Sequence, residues 1–203
     1  MIEPLFTIED GTSARAITGL PRVCFADAGT ALDATWGSGE FWDGSAHVEV
    51  TGLDVDPARA PHHVGDFTAL GFGDESFDVV VFDPPYQWDM SKRKASVTGA
   101  RFGTFASAEE ARASATAGCH EAWRVARLGV IAKCQDYIHE SRPVWMSDWM
   151  KAATPVELYD VPHVRQPRKM IDPKWSRQLS VWRNHSTFWV WRKDGDVHRA
   201  RRS

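Results

Sequence analysis

The segment Asp83-Pro84-Pro85-Tyr86 has the residue types to hold an amino group. It follows Phe77-Asp78-Val79-Val80-Val81-Phe82, a β-branched and aromatic run that reads as a central strand, so the tetrapeptide stands where the chain leaves a sheet. Two consecutive prolines fix the backbone and remove two N–H donors, which turns the carbonyls outward as rigid acceptors beside one carboxylate. An exocyclic base amine carries two N–H donors. Asp83 can accept one and the Pro84 carbonyl the other, while the Tyr86 ring stacks on the base. Trp88, two residues on, is a second aromatic able to receive a base that has left its stack.

Three further stretches bear on the same chemistry. Leu32-Asp33-Ala34-Thr35-Trp36-Gly37-Ser38-Gly39 reads as a strand running into an acidic residue and then a glycine turn, where a ligand could press against bare peptide. It is neither a phosphate-binding loop with lysine nor the full dinucleotide fingerprint, and a simple tight turn would explain it as well. Val50-Thr51-Gly52-Leu53-Asp54 reads as a buried strand ending in a carboxylate, which in doubly wound sheets accepts hydrogen bonds from a ribose diol. Asp56 before Pro57 fits a helix cap. Gly65-Asp66-Phe67 supplies a third turn, in which Asp66 either accepts an adenine amino group or satisfies its own turn. His62 and His63 have no ligand cluster around them and read as loop residues.

With these residues in place, the sequence resembles the Rossmann-type S-adenosylmethionine-dependent methyltransferases that methylate amino groups, which join a glycine-rich cofactor loop to an (Asp/Asn/Ser)-Pro-Pro-(Tyr/Phe/Trp) motif. More narrowly, Asp33 to Trp42 together with Asp83-Pro84-Pro85-Tyr86 is similar to small phage and actinobacterial DNA methylase-like proteins. The resemblance covers residues 30–135 and, weakly, 154–193. It implies that Asp33, Thr35, Gly37, Ser38 and Gly39 meet the methionine part of the cofactor, Asp54 its ribose, and Asp66 with Phe67 its adenine. It also implies that Asp83, Pro84, Pro85 and Tyr86 are catalytic, and the aspartate at the head of the motif favours adenine N6 over cytosine N4. Two departures stand out: Thr35-Trp36 replaces the Phe-Ala or Phe-Gly usual before the glycines, and a large target-recognition domain is missing.

The elements that must position these residues alternate short apolar runs with Gly- or Asp-containing stops, the rhythm of an α/β fold with a parallel sheet. Strands are expected at Thr30–Ala34, Val48–Asp54, Phe77–Asp83, Gly129–Cys134, Val156–Pro162 and Thr187–Arg192. A helix is expected over 108–127, where Ser107 and Glu110 form a capping box. A second is expected from Pro143 to Ala153 with Trp145 and Trp149 on one face. The resemblance implies a mostly parallel, seven-stranded Rossmann-like methyltransferase sheet flanked by helices and closed by an antiparallel terminal hairpin. At 203 residues one domain is expected, with residues 1–28 as an N-terminal cover and 163–183 as a basic hairpin insertion. The three cysteines, Cys24, Cys119 and Cys134, have no close pair and read as core thiols. The absence of a long apolar run or a signal pattern points to a cytoplasmic chain with no membrane partner.

Charge selects the partner. Residues 160–203 hold 11 Lys or Arg against 4 Asp or Glu, a net +7, while the remainder holds 13 against 23, a net −10. A polyanion would meet only part of such a surface. Nucleic acid is expected to be held by Trp88, by Lys92, Arg93, Lys94 and Arg101 in a loop after the motif, and by Arg165, Arg168 and Lys169. DNA is favoured over RNA. Without a recognition domain, either the tail and loop read a short site, or a homodimer or separate specificity subunit does, or the substrate is RNA. A non-catalytic nucleic-acid-binding subunit is the reading from another class, and the intact Asp83-Pro84-Pro85-Tyr86 argues against it.

Overall fold

The computed structural model describes residues 8–42, 47–88, 105–140, 142–153, 158–160, 162–165 and 185–193. In chain order it contains β1 (Ile8–Asp10), α1 (Ser13–Cys24), β2 (Thr30–Asp33), β3 (Glu49–Asp54), a 3-10 turn (Pro57–Arg59), β4 (His63–Val64) and β5 (Phe77–Phe82). There follow α2 (Ala108–Val125), β6 (Ala126–Cys134), β7 (Tyr137–His139), β8 (Arg142–Val144), α3 (Met146–Ala153), β9 (Leu158–Asp160), β10 (His163–Arg165) and β11 (His185–Arg192).

Continuous apolar strands arise because both faces of the sheet are covered. On β5, Val79 and Val81 pack with Ile17, Leu20 and Phe25, while Val80 and Phe82 pack with Ala115, Cys119 and Met150 on the opposite face. The same alternation puts Phe188 and Val190 of β11 on the α1 side and Trp189 and Trp191 on the α2 side. The strand order is β1-β10-β11-β6-β5-β2-β3-β4, with β9 also pairing β11. Strands β4, β3, β2, β5 and β6 are mutually parallel, and β11 runs against β6 and β10. The expected architecture is therefore present: seven strands from β4 to β10, mostly parallel, with an antiparallel closing pair and β1 added at the edge. The path moves outward from β2 through β3 to β4, then returns to β5 on the other side. That reversal opens a crevice at the carboxyl ends of β2 and β5, where such sheets bind ligands.

Most expected elements lie within a residue or two of those observed, and two need correction. Pro143 does not open a helix. Arg142–Val144 pairs with Tyr137–His139 as a hairpin, and α3 starts only at Met146, where Asp136 accepts from Ser147 N at 2.9 Å and from its hydroxyl at 3.0 Å. Trp145 therefore precedes the helix and is 46% exposed, whereas Trp149 packs against the core. The strand expected at Val156–Pro162 is the short β9, and a further strand, β10, occupies the first residues of the expected 163–183 insertion, on the same edge of β11. Pro162 separates them because it cannot donate into the ladder, although its carbonyl accepts from Phe188 N at 2.9 Å. The N-terminal cover takes the form of β1, parallel to β10, and α1, which buries Ala16, Ile17, Leu20 and Cys24.

The capping box is realised: Ser107 Oγ accepts from Glu110 N at 3.1 Å, and the Glu110 carboxylate accepts from Ala106 N at 2.7 Å. Gly118 lets α2 lie against β5, since a Cβ there would sit 2.3 Å from the Phe82 ring. The three cysteines are buried, and burial pushes the Cys119 and Cys134 thiols up to about 12. Among the described residues no helix is long and apolar enough to cross a membrane.

Candidate active site

A cleft of about 510 Å³ opens at the carboxyl ends of β2, β3 and β5, within the size range of small-molecule sites. Its walls come from three turns. Backbone bonds from Ala34 N to the Val81 carbonyl (3.0 Å) and from Trp36 N to the Leu53 carbonyl (2.9 Å) extend the sheet pairing into the first of them. The chain then turns through Gly37 and Gly39, both left-handed at φ +58° and +70°. A Cβ at Gly37 would meet nothing within 4 Å, so that peptide is bare toward the cleft. Asp54 Oδ2 accepts from Gly37 N at 2.8 Å and Oδ1 from Asp56 N at 2.9 Å. One carboxylate thus fixes the glycine turn and its own turn while facing the cleft.

Trp36, the departure from the usual loop pattern, has a definite seat. Its indole lies over Gly52 and Gly39, where added Cβ atoms would come within 2.3 and 2.5 Å of it. His62 tilts against the same ring at 5.1 Å and accepts from Gly52 N at 2.7 Å through Nδ1. His62 is thus a loop residue with a structural task, whereas His63, also expected in a loop, opens β4 and pairs with Leu53.

The second turn is the Asp-Pro-Pro-Tyr segment, and Asp83, Pro84, Pro85 and Tyr86 all line the cleft. Asp83 N donates to Thr35 Oγ1 at 2.8 Å, which ties this turn to the glycine loop. Lys133 Nζ lies 2.6 Å from Asp83 Oδ2, and the two side chains are 13% and 17% exposed. The Lys133 ammonium also lies 5.5 Å from the centre of the Phe41 ring. Tyr86 is held by a 2.6 Å hydrogen bond from the Tyr137 hydroxyl to its carbonyl. Burial, with the Asp83 charge beside it, pushes its phenol well above the ordinary range. Beyond it, Trp88 packs 4.7 Å from His139 and 6.0 Å from Trp149. Trp88 also bridges to Phe105, and Phe105 N donates to the Gln87 carbonyl at 3.0 Å. The chain therefore leaves for residues 89–104 and returns beside the cleft.

Of the residues expected to bind a cofactor, Thr35, Gly37, Ser38, Asp54 and Phe67 line the cleft. Three sit differently. Asp33 is fully buried beneath the loop, where it accepts from Trp42 Nε1 at 2.8 Å and Thr35 N at 3.1 Å. Its carboxyl is pushed up to about 6, above all by desolvation, with Asp83 and Asp54 adding to the rise. Gly39 is occupied by the Trp36 ring. Asp66 satisfies its own turn, accepting from Thr68 N and Oγ1 at 2.8 Å each, while Phe67 packs against Phe82 at 5.3 Å. Arg165 is exposed at the end of β10. Lys92, Arg93, Lys94, Arg101, Arg168 and Lys169 lie outside the described residues.

Lys133, Trp36, Phe41 and Trp42 are the members that sequence reasoning missed. A lysine closing the otherwise apolar Gly129–Cys134 run was the available signal for the first.

No family model and no curated protein matches the sequence. Solved structures do share its shape. A Thermoplasma acidophilum protein designated 1320 is 14% identical with a TM-score of 0.55, covering 90% of each chain. PH0226 of Pyrococcus horikoshii OT3 is 15% identical at 0.53, over 89% of this chain and 90% of its own. A Bacillus halodurans C-125 protein, provisionally described as a methyltransferase, is 15% identical at 0.54, over 89% and 97%. At these identities the likeness concerns fold alone: the chain has a Rossmann-like methyltransferase fold.

Proposed function

We propose that this chain is an S-adenosylmethionine-dependent methyltransferase acting on an exocyclic nucleobase amine, adenine N6 in DNA, in the cytoplasm. The observation that carries the reading is that Asp83-Pro84-Pro85-Tyr86 enters the same cleft as the glycine turn and is bonded to it through Thr35. The residues fit the cofactor: a bare glycine peptide at Gly37, a carboxylate at Asp54 and an aromatic at Phe67 line one side of the cleft. Gly37 and Ser38 would meet its methionine part, Asp54 its ribose hydroxyls and Phe67 its adenine. When bound, the cofactor supplies an electrophilic methyl group.

The protein's own contribution is to present the amine. That nitrogen is a poor nucleophile because its lone pair is delocalised into the ring. Hydrogen bonds from its two N–H groups to Asp83 and the Pro84 carbonyl draw it toward a tetrahedral form and stabilise the charge that develops there. Tyr86 offers a stacking surface, and alignment for in-line displacement does most of the rest. A duplex base must leave its stack to arrive. The four basic residues Lys92, Arg93, Lys94 and Arg101 are candidates for holding flanking phosphates and lie outside the described residues.

Labelled-methyl transfer to duplex DNA, single-stranded DNA and RNA is the test, with base analysis of the product. Label in N6-methyladenine of DNA is the expected result; label in RNA or at cytosine N4 would replace the substrate within the same chemistry. Asp83→Ala should bind S-adenosylhomocysteine like wild type and lose transfer by about two orders of magnitude or more. Full activity in that variant would remove the mechanism.

A further inference from the structure

We infer that Lys133 is a positioning residue for the reaction at Asp83: it holds that carboxylate turned so that one oxygen remains for the incoming amine. The inference rests on the amino-methylation reading above. Parallel pairing sets Phe82 beside Ala132, so the next residues along, Asp83 just past the end of β5 and Lys133 still within β6, stand side by side in the lining of the cleft. Lys133 Nζ takes Oδ2 at 2.6 Å, while Thr35 fixes the backbone of the same aspartate at 2.8 Å. With the following Pro84 rigid, main chain and side chain are both set before a substrate arrives. Phe41, across the ammonium at 5.5 Å, leaves little latitude for the lysine to swing away.

Other polar groups stand around the pair. Asp83 adds to the rise of the Asp33 carboxyl from β2 and of the Tyr86 phenol in the same turn. Cys134 beside Lys133 also feels both members of the pair, together with Asp136. Glu40, Asp54 and Asp56 line the same cleft, with Arg59 as a further cation in its wall. Lys133 is the ion-pair partner of Asp83 among the described residues. A carboxylate with one oxygen taken by a cation presents the other in a set direction. Removing the Lys133 ammonium should therefore leave the Asp83 side chain free to rotate away from the amine.

The experiment compares Lys133→Met, Lys133→Arg, Asp83→Asn and the Lys133→Met/Asp83→Asn double variant. Rates of methyl transfer and KM for the cofactor are measured, and the Asp83 carboxyl carbon of 13C-Asp-labelled full-length protein is followed by NMR at fixed pH with S-adenosylhomocysteine bound. In Lys133→Met the Asp83 carboxyl signal should move and kcat should fall by about tenfold or more, while KM for the cofactor stays near wild type. Lys133→Arg should keep most of the wild-type rate, and adding Lys133→Met to Asp83→Asn should cost no further rate. An unmoved signal with an unchanged rate, or an equal loss of rate on both backgrounds, overturns the inference. Lys133→Gln, which keeps a donor without the charge, serves in the same comparison if the Met variant does not fold. Failure of wild type to methylate any nucleic acid would sink the amino-methylation reading instead, while the Asp83 carboxyl signal would still decide on the pair.

Discussion

Asp33 has a carboxylate with no solvent access and two N–H partners, Trp42 and Thr35. Desolvation outweighs those two bonds, so its carboxyl titrates at about 6 in the folded chain against 3.8 ordinarily. The folded state holds this proton more tightly than the unfolded one. The stability it contributes is therefore full below pH 3.8 and is lost as pH rises through about 6. Relative to Asp33→Asn, wild type should lose about 2.4 kcal/mol of unfolding free energy between pH 4 and 7, measured by urea titration at each pH. A difference independent of pH would show the acid to be ionised throughout. The types of Asp33, Asp54 and Asp83 at strand ends were legible because a carboxylate closing an apolar run is a local pattern. What each one touches was not. The burial of Asp33 depends on Trp42 folding back over it, and Lys133 reaches Asp83 across 50 residues of sequence through strand pairing.

Between elements, the fit of β3 to the glycine turn depends on one absent side chain. Gly52 lies under the Trp36 indole, so Gly52→Ala must displace the ring from the loop that shapes the cleft. We expect that variant to lose about 1–3 kcal/mol of stability from overpacking. It should also bind S-adenosylhomocysteine about tenfold more weakly, equivalent to ~1.4 kcal/mol. Thermal unfolding and calorimetry check the two, and a wild-type result in both would free the loop from dependence on that stacking. Elements whose signals are local were read well: α2 through Ser107 and Glu110, β5 through its β-branched run. The stretch from Pro143 failed because proline suits a first helical turn and an edge strand equally. The pairing of β8 with β7 decided the matter, and no local signal carries that.

At the scale of the whole molecule, a +7 tail on a −10 body predicts binding to a polyanion through part of the surface only. If the basic loop neutralises phosphates, the logarithm of affinity falls linearly with the logarithm of salt, with a slope near −0.9 per contact on duplex DNA. Replacing Lys92, Arg93 and Lys94 with Ala should flatten that slope by about two to three units without changing cofactor affinity. Anisotropy titrations over a salt series read this directly, and superimposable slopes would make the loop a solvated surface. The rhythm of the sequence carried an α/β fold with a parallel sheet, whereas the strand order and the crevice at its reversal rest on pairings between distant segments that no local signal carries. The bond from Asp83 N to the Thr35 hydroxyl joins the two halves of that crevice, and it gives them a shared thermodynamics. A shift of either turn on binding one ligand is passed to the other through that bond, so the two binding events should be coupled. Linkage makes the effect mutual: whatever factor a bound cofactor adds to the affinity for a target base, the base adds to the affinity for the cofactor.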